Sequence, residues 1–248
     1  MIEIVNLHHR YPDGTYALKG ITLNIARGEF LLICGPNGSG KTTLARMIPG
    51  LLEPSVGMVR INGLNAVQHS REARQAVGMV FQEADSQIVG ETVSEDVSFG
   101  PENMGLSASE VTERTVRSLR AMGLESLSEK PAYLLSGGEK RRLSIASVLA
   151  MKPQAVVLDE PFSHLDYSGV REVLRIMIDL HREGHTLVVT THDVEKVITH
   201  VDRVAILHGG ELKAVGSTEA MIGELSRFDI RPPCYVLLGK ERISWLSG

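Results

Sequence analysis

An α/β fold is predicted, with a parallel core sheet, an antiparallel β portion at the N-terminus and an inserted helical portion. Three observations carry this. First, four short runs, 30–34, 155–158, 186–190 and 204–207, are near-continuously apolar. Strands covered on both faces read that way, whereas a half-exposed strand alternates. Second, a helical stripe of Val170, Val173, Leu174, Met177, Ile178 and Leu180 lies between two of these runs and stops at Gly184. Strand, helix, strand implies a right-handed crossover. Third, residues 2–7 and 21–25 alternate and are separated by the turn residues Pro12-Asp13-Gly14. That pattern gives an antiparallel sheet with one wet face.

The stretch from about 92 to 150 reads as largely helical and as inserted between two core strands. Within it, Ser107 and Glu110 have capping-box spacing ahead of an amphipathic segment. The expected organisation is a domain over 1–220, with the helical subdomain at about 92–150 inside it, and a tail over 221–248. The tail carries Arg231-Pro232-Pro233 and a short apolar segment.

Composition bounds the function. The chain has 248 residues, 43% hydrophobic and 23% charged, which is ordinary globular content. Its 26 Lys+Arg against 30 Asp+Glu give a formal charge of −4. Nucleic acid is therefore not an expected partner, since the longest basic cluster is only Lys140-Arg141-Arg142. No run of 18 apolar residues exists to span a bilayer as a helix, and Glu3 with no apolar core after it argues against a secretory signal. Cys34 and Cys234 have no metal-ligand spacing, which fits a reducing compartment and leaves only a single bridge open.

Chemistry begins at Gly35-Pro36-Asn37-Gly38-Ser39-Gly40-Lys41-Thr42, a match to G-x-x-x-x-G-K-[ST], followed by Thr43. Glycines let the backbone wrap phosphate oxygens closely, and the following helix offers its positive end to the same anion. Lys41 can reach β- and γ-phosphates, and Thr42 can place its hydroxyl on Mg²⁺. From average residue usage, chance produces this pattern in a chain of this length on the order of 1% of the time. The apolar run before it and the helical run after it make it a P-loop NTPase site.

A second element is the apolar strand 155–158 ending in Asp159-Glu160 before Pro161. By itself Asp-Glu-Pro is an ordinary acidic turn. Beside a phosphate loop, Asp159 is placed to hold Mg²⁺ through water, and Glu160 to polarise an attacking water. A third is Leu135-Ser136-Gly137-Gly138-Glu139. Ser136 and Glu139 have capping-box spacing, so a helix starts here with its N–H groups uncovered by side chains.

This ordered set resembles the ATP-binding-cassette (ABC) ATPase family from residue 1 to about 220. The resemblance implies ATP and Mg²⁺ as cofactors and assigns roles to matching positions. Tyr11 resembles the aromatic that stacks on adenine. Gln82 resembles the glutamine that senses Mg²⁺ and the γ-phosphate. Ser136, Gly137, Gly138 and Glu139 resemble the signature loop that contacts a partner's ATP. Ser163-His164-Leu165-Asp166 resembles the D-loop, which crosses to that partner, and His192 resembles the switch histidine. Glu139 stands where Gln is commoner, and His164 where a small residue is commoner. Neither change removes a group needed for catalysis; both bear on the dimer interface. The remaining histidines (His8, His9, His69, His164, His181, His185, His200, His208) are expected on the surface.

Residues 77–88 and 92–103 narrow the branch. Asp85, Gln87 before an apolar residue, the Glu95-Asp96 pair and a Phe99-Gly100-Pro101 turn resemble the ATPase subunit of energy-coupling-factor (ECF) transporters; Ala84 departs from it, where proline is usual. That resemblance implies import of a vitamin or transition-metal ion. It also implies a second ABC ATPase subunit (a copy or a relative), a transmembrane coupling subunit and a membrane subunit that binds the substrate. The location implied is the cytoplasmic face of the cell membrane, peripherally bound, with the tail helping to dimerise. Two alternatives stand beside it: an ATPase of another ABC transporter branch, and a soluble ABC scaffold outside transport.

Overall fold

The computed structural model describes residues 1–246. Its strands in chain order are β1 (Ile2–Arg10), β2 (Tyr16–Ile25), β3 (Phe30–Cys34), β4 (Val56–Ile61), β5 (Leu64–Asn65), β6 (Val77–Val80), β7 (Ala155–Asp159), β8 (Thr186–Thr191), β9 (Arg203–His208) and β10 (Glu211–Ser217). The first alternating segments form a four-stranded antiparallel sheet ordered β2-β1-β4-β5. The apolar runs form a six-stranded sheet ordered β10-β9-β3-β8-β7-β6. All its pairs are parallel except the β9–β10 edge.

Strand periodicity splits the core in two. Phe30, Leu32, Cys34, Val156 and Leu158 face one side; Leu31, Ile33, Ala155 and Val157 face the other. Every residue of β3, β7 and β8 is buried, which is why these strands read as unbroken apolar runs. One face is covered by α5 (Gly137–Ala150) and α6 (Tyr167–Arg182). The other is covered by α1 (Lys41–Met47), α2 (Ser70–Ala76) and the antiparallel sheet, through Leu44, Met47, Ala73, Ile2 and Ile4.

Between β6 and β7 lie α3 (Val93–Asn103), α4 (Ala108–Ala121) and α5, packed on one another. Each opens with a complete capping box: Thr92 with Glu95, Ser107 with Glu110, Ser136 with Glu139. Each box satisfies orphan N–H groups at the helix start, which defines where these amphipathic segments begin. The expected Phe99-Gly100-Pro101 turn is corrected here: these residues continue α3, with Pro101 inside the helix. Gly100 packs against Met151, where an added Cβ would lie 2.8 Å from Met151 Cγ. The cap and this close packing carry the helix through a local signal for a break.

In an open parallel sheet, ligands bind beyond the carboxyl ends of the strands. Here β3 delivers the segment 35–40, β6 delivers Gln82, β7 delivers Asp159 and Glu160, and β8 delivers His192.

Candidate active site

The phosphate loop is shaped by positions that tolerate no side chain. Gly40 sits at φ +100°, and a Cβ there would lie 2.6 Å from Ala17 O. At Gly35 a Cβ would lie 2.1 Å from Leu207 O. Only glycine accepts both the left-handed backbone and this approach of neighbouring main chain. Lys41 is buried, and its Nζ donates to Gly35 O at 2.8 Å and Pro36 O at 3.0 Å. Burial pushes its ammonium below the usual lysine range, while the Glu160 and Asp159 carboxylates pull the other way. Ser39 Oγ is buried with no partner among the described residues. The first N–H groups of α1 have no acceptor within the helix. An ammonium and a helix start therefore lie at one loop, and a polyphosphate fits both.

The carboxylates occupy the next strand end. Asp159 is buried, and its Oδ1 accepts from Thr42 Oγ1 at 3.2 Å and from Thr190 Oγ1. Glu160 adopts φ +46°, in the left-handed region. Such a backbone costs about 1–3 kcal/mol for a non-glycine residue and persists only where the surroundings impose it. Glu160 N donates to Thr190 O at 2.9 Å, so β8 imposes it. The carboxylate then reaches the end of β8. Its Oε2 accepts from Thr191 Oγ1 at 2.8 Å, and its Oε1 accepts from His192 N at 3.0 Å. His192 Nδ1 lies 2.8 Å from the same oxygen. The His192 side chain is half exposed. The acid is thus fixed and nearly buried, with a half-exposed imidazole beside it.

Lys41, Thr42, Asp159, Glu160 and His192 come together, and Tyr11 joins them through its hydroxyl, 3.0 Å from Thr43 Oγ1. Gln82 is exposed two residues past β6, and no hydrogen bond ties its side chain to the others among the described residues. Asp166 caps α6, accepting from Gly169 N at 2.8 Å, which holds its carboxyl below the usual range. Ser136 and Glu139 bond to each other across their capping box, and Glu139 also pairs with Lys130. No hydrogen bond or ion pair joins the segment 136–139 to the phosphate loop of the same chain among the described residues. The segment does approach residues 163–166, with Gly137 near His164 O.

The family-model comparison gives a match to the ABC transporter family over residues 18–163. The chain belongs to the ABC transporter family. It is 45% identical over 221 residues to the Energy-coupling factor transporter ATP-binding protein EcfA of Methanothermobacter thermautotrophicus, covering 88% of this chain and 71% of the relative. Among solved structures it resembles CbiO1 of Clostridium perfringens, described as part of the ABC transporter complex CbiONQ. That likeness has a TM-score of 0.82 and 36% identity, over 96% of this chain and 98% of the other. It also resembles a dimeric ATP-binding cassette in a post-hydrolysis state bound to ADP and Pi, with a TM-score of 0.78 and 31% identity, over 88% and 99% of the two chains. This ABC protein is an ATP-hydrolysing cassette of the energy-coupling-factor type.

One functional candidate escaped the sequence. Arg141 is buried in α5 and donates through Nη1 to Phe81 O and through Nη2 to Gln82 O. It thereby fastens the Gln82 segment to α5. Helical spacing held the signal, since Arg141 is on one stripe with Ser144, Ile145 and Val148. Gln87 braces the same segment, accepting from Phe81 N at 3.0 Å and donating to Met79 O at 3.3 Å. The histidine expectation also needs correction. Of the eight placed on the surface, His9 is buried, because it lies on the inward face of β1 with Leu7.

Arg141→Ala should leave the Phe81 and Gln82 carbonyls without donors. The expected cost is about 2–3 kcal/mol, a fall of roughly 4–12 °C in Tm for a chain this size. A thermal scan checks it, and a Tm within a degree or so of the parent's would contradict the fastening role.

Proposed function

We propose that this cassette powers import of a transition-metal ion or vitamin by closing, with a second ABC ATPase subunit, around ATP. The observation that carries the dimer is the signature helix start. It is pre-formed by its capping box, lies beside the D-loop, and is not bonded to its own phosphate loop. A helix N-terminus not bonded to the chain's own anion site is available to a partner's nucleotide. In head-to-tail pairing, each ATP would lie between Gly35–Thr43 of one subunit and Ser136–Glu139 of the other.

Within that sandwich, Tyr11 stacks on adenine and Lys41 binds the β- and γ-phosphates. Thr42, Gln82 and Asp159 would hold Mg²⁺, which would supply positive charge to offset that of the phosphates. Glu160 takes the proton of the attacking water, oriented by Thr191 and His192, and His192 also meets the γ-phosphate. Loss of the γ-phosphate removes the contact that bridges the halves, and the dimer reopens.

A groove of about 520 Å³, lined by Leu51, Val77, Met79, Phe81, Phe99 and Met104 among others, offers a place for a helix of the transmembrane subunit. It touches Phe81 and Gln87, so pressure there reaches Gln82 directly. The helical segment 92–150 forms the other wall. The import branch is supported by the residues at 85–101 and by the named likenesses above.

Sedimentation velocity tests the dimer, using Glu160→Gln chain alone and mixed with any ABC ATPase that co-purifies with it. The expected result is a doubling of mass only when ATP and Mg²⁺ are present. A single-chain mass throughout would contradict the proposal.

A further inference from the structure

We propose that His9 is a positioning residue for nucleotide binding: its buried imidazole sets the ring plane of Tyr11, the platform for adenine. The inference rests on the reading of Tyr11 given above. His9 is 7% exposed, and neither Nδ1 nor Nε2 has a hydrogen-bond partner among the described residues. With no hydrogen bond to either nitrogen, the ring acts on its surroundings through packing alone. What His9 does make is one directed contact. Its ring meets that of Tyr11 edge to face, with centroids 4.6 Å apart and planes at 88°.

The strand delivers that contact. β1 changes register with β2 on both sides of His9, between Leu7 and His9 and again between His9 and Arg10. Such irregularities re-aim side chains at the end of a strand. Tyr11 follows immediately, with its backbone held by Tyr11 N to Thr15 O at 2.9 Å. Its hydroxyl is held at the far end by Thr43 Oγ1 at 3.0 Å. Backbone and hydroxyl fix where the ring is, and rotation about its long axis remains. The edge-to-face contact with His9 is what restrains that rotation. A ring pre-oriented in this way loses less freedom when a flat base stacks on it, so affinity rises without any contact to the phosphates.

The test is ATP hydrolysis by the full chain carrying His9→Leu or His9→Phe, with Tyr11 intact and in a Tyr11→Ala background. Leu keeps the volume and removes the aromatic ring; Phe keeps a ring and removes the nitrogens. His9→Leu is expected to raise KM for ATP about threefold to tenfold, with kcat within about twofold of the parent. Inhibition by inorganic tripolyphosphate, which has no base to stack, should be unchanged. His9→Phe should restore the parental KM. In the Tyr11→Ala background, His9→Leu should add nothing further. Tyr11→Ala with parental KM would overturn the adenine reading itself. A raised KM in Tyr11→Ala but a parental KM in His9→Leu would overturn the His9 proposal alone. So would equal losses from His9→Leu with and without Tyr11, or weakened tripolyphosphate inhibition, since both mark general damage to the fold.

Discussion

Glu160→Gln should lower ATP turnover by about 10²–10⁴-fold while ATP affinity stays within about threefold of the parent, the size expected for losing a general base. The geometry explains why the two effects separate. An amide keeps the shape of the carboxylate, so its oxygen can still accept from His192 N, 3.0 Å away in the parent. Thr191 Oγ1, which donates to Glu160 Oε2, can rotate its hydroxyl and accept from the amide instead. The φ of +46° at residue 160 is imposed by main-chain bonding to Thr190, which the substitution leaves in place. What disappears is the capacity to take a proton from water. Single-turnover hydrolysis and equilibrium ATP binding measure the two quantities separately. Parental turnover in this variant would show that another group activates the water.

Lys41→Ala should weaken ATP binding by about 10–100-fold, as expected for losing charge-assisted hydrogen bonds to phosphate. The same change also leaves Gly35 O and Pro36 O without the Lys41 donor in the nucleotide-free protein. Burial depresses the Lys41 pKa, so folding disfavours its charged form relative to the unfolded chain. The sign with pH follows. Between its depressed value and the ordinary lysine value, Lys41 binds fewer protons folded than unfolded. Stability of the parent relative to Lys41→Ala should therefore rise as pH climbs through that alkaline window, and be flat below it. Calorimetric titration with ATP and paired thermal scans across pH check both halves. Unchanged ATP affinity would contradict the phosphate-loop assignment, and a parent-minus-variant stability that falls with alkaline pH would contradict the burial account.

The parallel core and the phosphate loop were legible because each rests on short-range rules. Full burial of β3, β7 and β8 leaves unbroken apolar runs, and Gly35 to Thr42 must carry glycines where the main chain crowds and turns left-handed. Capping boxes at Ser107 and Ser136 were legible for the same reason, since each is closed within four residues. The antiparallel β4 was not, because only Val59 and Ile61 of its six residues are buried and its alternation is faint. Phe99-Gly100-Pro101 misled because its local chemistry points to a turn. The deciding contact, Gly100 against Met151, lies about fifty residues on in sequence. Arg141 and His9 were missed because charge and polarity are poor guides to burial when the compensating contact is made by a distant segment or by a neighbouring ring.

The most direct test of the account is to tag the chain, extract native membranes in mild detergent and identify every protein that co-purifies. The expected complex holds a second ABC ATPase subunit, one transmembrane coupling subunit and one small hydrophobic subunit that binds the imported ion or vitamin. Recovery of the chain only in the soluble fraction, with soluble partners alone, would contradict the transport account and leave the ATPase chemistry standing without it.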